Sequence, residues 1–114
     1  MPDAGREFVW ELEAIDAQRE AADHPYEEFL SVPDLSAGLY VLDAGATDGQ
    51  SPHGEDEIYY VVSGRGRITV SGATRDVIPG SIVFVAAHEP HAFHDITERL
   101  VLLVAFGPAE GSRG

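Results

Sequence analysis

The sequence predicts an all-β fold, an antiparallel β-barrel or jelly roll, on three observations. Gly (12) and Pro (7) recur as punctuation along the 114 residues, and such residues mark turns between short elements. The segments between them are rich in Val, Ile, Tyr and Phe, which pack well on a half-buried pleated surface. No segment carries a long helical period. A chain of 114 residues has room for one core, and a 44% hydrophobic content can fill it.

The elements follow in chain order. Residues 8–12 alternate apolar and polar and are expected to form the one strand of an N-terminal extension, 1–35, that belongs to the same domain. Residues 15–23 are charged and Ala-rich and run into His24-Pro25, so a loop or weak helical turn is expected. The barrel proper is placed at 36–107. Its strands are expected at 39–42, stopping at Asp43-Ala44-Gly45, and at 58–62, ending at Ser63-Gly64. Residues 67–70 are expected to pair with 58–62 across Gly64-Arg65-Gly66 as a hairpin. Ser71-Gly72 turns the chain into 75–78, and Pro79-Gly80 turns it into 82–85; 91–96 and 100–106 complete the set. About eight or nine short strands with tight turns indicate a sandwich or barrel. The tail, 108–114, is expected to fray.

Composition narrows the function. The net charge is -13, from 20 acidic and 7 basic residues, a surface that repels nucleic-acid phosphates and anionic lipid headgroups. No nucleic acid and no membrane is expected as partner, and the acidity reads as a solubility device. Every basic residue is Arg, and Lys and Asn are absent. No cysteine is present, which removes disulfides, thiolate zinc sites and cysteine nucleophiles. Any metal site must use His, Asp and Glu. No apolar run reaches the ~20 residues of a membrane span, and the first residues lack the basic-then-apolar layout of a signal peptide. A cytoplasmic location is expected.

Four of the five histidines fall with several carboxylates into two clusters, 51–57 and 88–95. Side chains along a strand alternate faces, so Ser51, His53, Glu57, Tyr59 and Val61 share one face if the pairing is regular. In the second cluster His91, Phe93 and Asp95 share a face, and His94 points oppositely. A His and a Glu buried beside aromatic residues need partners. A metal ion is an economical one, because it takes lone pairs from two imidazoles and a carboxylate together.

These clusters closely resemble the two motifs of the cupin superfamily. In the first, Gly45 is followed by five residues, Ser51-Pro52-His53, three residues, Glu57, six residues and Gly64. In the second, Gly80 is followed by five residues, Ala86-Ala87-His88, two residues, His91, three residues and Asp95. The resemblance extends over 39–106 and implies a double-stranded β-helix. It also implies that His53, Glu57 and His91 are ligands to one divalent metal ion. Ser51 stands where the family has a further histidine, and is a possible fourth position or space for substrate. Two histidines and one carboxylate form the facial triad of non-haem iron(II) oxygenases, so iron(II) is favoured, with manganese, nickel or zinc as alternatives. Ala86 and His88 replace Pro and Gly of the second motif, and Asp95 replaces Asn.

Tyr59 and Phe93 are expected to line the pocket or the core. Asp95 is expected to orient His91 through a hydrogen bond or to close the strand. His88 is read as a loop residue at the barrel mouth, or as a stand-in for the missing ligand; His94 is read as a surface or interface residue, and His24 has no assigned role. Two functions stand side by side. One is a metal-dependent enzyme, dioxygenase or isomerase in type, acting on a small organic molecule. The other is a non-catalytic module that binds a small molecule or a metal. A metal-independent isomerase using His53 or His91 as base is a third. A homodimer is expected by resemblance to small cupins, with 8–12 pairing to a second subunit so that no strand edge is left open.

Overall fold

Two long bent strands organise the computed structural model, which describes residues 7–49 and 52–112. In chain order the elements are α1 (Leu12–Ala22), β1 (Tyr26–Val32), β2 (Leu35–Leu42), β3 (Asp56–Val70), β4 (Ala73–Val77), β5 (Ile82–Val85) and β6 (His91–Gly107). The strands are ordered β1-β2-β6-β3-β4, with β5 also on β3, and every pairing is antiparallel. The expected all-β jelly roll, a double-stranded β-helix, is what the chain forms.

β3 and β6 pair along nearly their whole length, from Asp56↔Gly107 to Val70↔His91. The register shifts three times near the middle, between Val61 and Arg67. Each such irregularity adds bend and twist, and together they carry the pair around the barrel. Before the bend β3 holds β5, from Glu57↔Val85 to Tyr60↔Ile82; after it β3 holds β4, from Gly66↔Val77 to Val70↔Ala73. Gly64 sits at this corner with φ 95°, where a Cβ would run into the Arg99 carbonyl. The hairpin expected at Gly64-Arg65-Gly66 is therefore this bend. The segments 58–62 and 67–70 are halves of one strand, as are 91–96 and 100–106, and six strands replace the eight or nine expected among the described residues. Glycines serve turns and bulges alike, which is why the two are confused in sequence. The Ser71-Gly72 turn does form, with φ 47° and 84° at its two residues, as a two-residue hairpin of the primed type requires.

The N-terminal extension also differs from expectation. Residues 8–12 are not a strand; the strand of the extension is β1, preceded by a full helix. Ala14, Ala17, Ala21 and Ala22 favour helix, and Ile15 and Arg19, one turn apart, are its buried residues. Ile15 packs on Leu39 and Val41 of β2, with Trp10 and Phe29 at the margin. Asp23 ends the helix in the left-handed region, φ 56°, a common helix stop.

The main core holds Tyr59, Val61, Ile68, Phe93, Leu100, Leu102, Val104 and Phe106. Along β3 the alternation is strict at its start: Glu57, Tyr59 and Val61 face in, while Ile58 and Tyr60 face out. The tail expected to fray is instead docked as far as it is described. Ala109 N donates to Pro33 O (3.3 Å), Glu110 N to Ser36 Oγ (2.8 Å) and Gly111 N to Glu55 Oε1 (3.2 Å). Both side-chain acceptors are buried, so the tail satisfies groups that water does not reach. No helix among the described residues is long and apolar enough to cross a membrane.

Candidate metal centre

Bending β3 and β6 brings distant parts of one ladder to face each other across the barrel. Glu57 lies near the start of β3, paired with Phe106, and His91 starts β6, paired with Val70. His53 comes from the loop ahead of β3. That loop is tied down where the His88 backbone N–H donates to the His53 carbonyl (2.6 Å). His53, Glu57 and His91 each offer one ligand atom, and these atoms all lie within 4.8 Å of one another. Ser51 lies outside the described residues.

The group is graded in depth. The side chains of Glu57 and His91 are each 1% exposed, and that of His53 is 22% exposed. His91 Nε2 is 3.2 Å from Glu57 Oε1, yet neither it nor either Glu57 oxygen makes a hydrogen bond. The contact is an off-axis charge attraction. The neighbouring Glu57 carboxylate is the largest influence holding the His91 imidazole above its usual range; burial opposes it, and the Glu89 carbonyl adds to the rise. His91 Nδ1 lies 2.9 Å from that carbonyl, so Nδ1 donates to it, and an Nε2 lone pair faces Glu57 only when the ring is neutral. Three buried polar atoms without hydrogen-bond partners are costly. A divalent cation is a ligand that two imidazoles and a carboxylate can satisfy together, and the residues present fit one.

A cavity of about 150 Å³ opens beside this group. Tyr26, Tyr40, Tyr59, Val104 and Phe106 line it together with His53, Glu57 and Glu110 of the tail; Glu57 is its buried end, and His53 and Glu110 are the more exposed. His53 packs edge-on against Phe106, with centroids 5.2 Å apart. Glu110 Oε2 lies 4.0 Å from His53 Nδ1. Burial pushes the Glu110 carboxyl up, against the opposing pull of His53. Burial likewise raises the Tyr26 and Tyr40 hydroxyls, with Glu110 adding to the first and the hydrogen bond to Asp48 adding to the second. The Tyr26 phenol lies across Gly38 of β2, where a Cβ would collide with it.

The other residues singled out from the sequence fall as follows. Tyr59 is fully buried and lines the cavity. Phe93 packs behind it, T-shaped at 4.9 Å, and belongs to the core. Asp95 does not reach His91: it is held at φ 48° beside the bend, and its exposed carboxylate meets His94 Nδ1 at 2.8 Å. The left-handed backbone breaks the alternation that would have turned Asp95 inward. The Glu89 carbonyl takes the place Asp95 was expected to fill. His88 is exposed, with φ 67°, and stands outside the group of three; only its backbone serves the site.

Sequence reasoning missed Asp48, Glu55, Tyr26 and Glu110. Asp48 is buried and accepts hydrogen bonds from the Tyr40 hydroxyl (2.7 Å) and Phe93 N (3.0 Å). It sits among Gly and Thr, where an aspartate reads as a turn residue. Glu55 reads as part of an acidic loop and is 1% exposed.

Comparison with known proteins agrees with this geometry. The model of the family described as "Cupin domain" matches residues 38–106. Uncharacterized protein SCO3923 of Streptomyces coelicolor is 50% identical over 102 residues, covering 90% of this chain and 97% of that one. The structure of KdgF from Halomonas sp. superposes with a TM-score of 0.69 at 25% identity, covering 75% of this chain and 79% of that one. TT1209 from Thermus thermophilus superposes with a TM-score of 0.70 over 88% of this chain and 96% of that one. At 20% identity the last likeness bears on the fold alone.

Proposed function

The chain belongs to the Cupin domain family, and on that premise we propose that it is a metal-dependent enzyme, dioxygenase or isomerase in type, acting on a small organic molecule. His53, Glu57 and His91 are the ligands to one divalent ion. The observation that carries this reading is the buried trio of Glu57 Oε1, Glu57 Oε2 and His91 Nε2, none of which makes a hydrogen bond. When bound, the ion supplies Lewis-acid polarisation of a coordinated substrate oxygen. The donor set favours iron(II), with manganese, nickel or zinc as alternatives. The Glu89 carbonyl fixes the His91 ring, the His88 N–H fixes the loop bearing His53, and Tyr40, Tyr59 and Phe106 give the substrate side aromatic walls.

Anaerobic reconstitution of untagged protein with iron(II), followed by elemental analysis, tests the proposal. About one ion per chain is expected, and its absence for all four metals would refute it. A second reading, capture without turnover, is favoured by the small cavity of about 150 Å³. A metabolite that raises the melting temperature of the loaded protein and is returned unchanged would support capture. A second copy of the chain is the proposed partner, and a monomer by light scattering would remove it.

A further inference from the structure

Every polar side chain that the described residues place on the cavity is acidic, phenolic or imidazole; no Arg lines it, and the chain has no Lys. Glu57 is 2% exposed with neither oxygen hydrogen-bonded, and the Tyr26 hydroxyl is also buried without a hydrogen-bond partner. Glu110 lines the cavity from the tail, where the backbone on either side of it is tied down. The backbone N–H groups of Ala109, Glu110 and Gly111 are bonded in turn to Pro33, Ser36 and Glu55, which keeps the Glu110 side chain on the cavity lining, with Oε2 4.0 Å from His53 Nδ1.

We propose that Glu110 makes this cavity selective for small molecules bearing an ammonium group, zwitterions above all, and turns away simple anions. The inference deepens the metal reading and partly rests on it. A divalent ion carries two positive charges, and Glu57 and Glu110 balance them. A zwitterion with its carboxylate towards the ion and its ammonium towards Glu110 keeps the balance, whereas a monocarboxylate leaves one negative charge unpaired in a low-dielectric site. Aromatic faces within about 6 Å add attraction for a cationic nitrogen. The volume suits such a molecule, since a cavity of about 150 Å³ accommodates benzene.

The test uses two probes of one shape and different charge. Glycine betaine and 3,3-dimethylbutanoate are titrated calorimetrically into zinc-loaded protein. Betaine is expected to bind at least tenfold more tightly, Glu110→Gln to bring the ratio near one without changing zinc stoichiometry, and Glu110→Asp to keep a preference. Equal affinities in the wild type, or an unchanged ratio in Glu110→Gln, would overturn the proposal. The same comparison on chelator-treated protein, with choline against 3,3-dimethylbutanol, reads Glu110 without the ion. Should the wild type take up no metal, the metal reading fails, while loss of the choline preference in Glu110→Gln still upholds the role of Glu110. No choline preference in the wild type would sink that role as well.

Discussion

Replacing Glu57 by Gln should reverse its effect on stability with pH and metal. Glu57 and His91 are each 1% exposed at the side chain, so charge there is barely screened by solvent. The folded-state value of His91 is raised, first by Glu57. The pair's contribution is therefore fully present below the ordinary histidine value of about 6.5 and is lost as pH rises through the raised one. At pH 6 without metal, Glu57→Gln removes the partner of a buried imidazolium and should cost about 3–5 kcal/mol. At pH 9 the imidazole is neutral, Glu57 is a lone buried anion without hydrogen bonds, and the same substitution should stabilise by about 1–3 kcal/mol. A divalent ion at a thousandfold its dissociation constant adds about 4 kcal/mol to the wild type, roughly 12–20 °C in Tm for a domain of this size, and little to the variant. Urea unfolding at the two pH values, with chelator and with zinc, gives all the numbers. A cost that is the same in all four conditions would show that Glu57 is an ordinary structural partner of His91 and would refute the reasoning.

Gly64→Ala should destabilise by about 2–4 kcal/mol in urea titrations, because φ 95° and the collision with the Arg99 carbonyl add left-handed strain to overpacking. His88→Gly should stabilise by about 1 kcal/mol, because φ 67° strains any residue with a Cβ; metal content by elemental analysis should not change, since only the His88 backbone meets the site. Asp48→Asn should cost about 2–3 kcal/mol on thermal unfolding, because one oxygen that accepts from Tyr40 or Phe93 N becomes a donor.

The trio of His53, Glu57 and His91 was legible because it rests on spacing within two short segments and on strand parity, both local properties. Glu57 and Tyr59 do alternate inward as parity requires. Asp95 was misplaced because a left-handed residue, invisible in a one-letter code, resets the alternation after Phe93. The helix was expected only as a loop or weak helical turn because it offers few large apolar residues; Ile15 finds its partners on β2, far along the chain. The bend of β3 was read as a hairpin because the same glycines serve either, and only the pairing of both halves with β6 decides between them. Glu110 was beyond reach for a different reason. Its position depends on backbone donors meeting Ser36 and Glu55, acceptors that no local pattern connects to the tail.

Gly38 gives the cavity an unusual kind of adjustability. The Tyr26 ring occupies the space that a side chain at position 38 would fill, so one wall stands where it does because a neighbouring strand carries nothing. A single methyl added there forces the phenol to swing while the trio of His53, Glu57 and His91 stays untouched. Pocket shape and the geometry of the trio can thus drift independently: the proposed metal centre can persist through a lineage while a residue outside the cavity lining rewrites which molecules fit beside it.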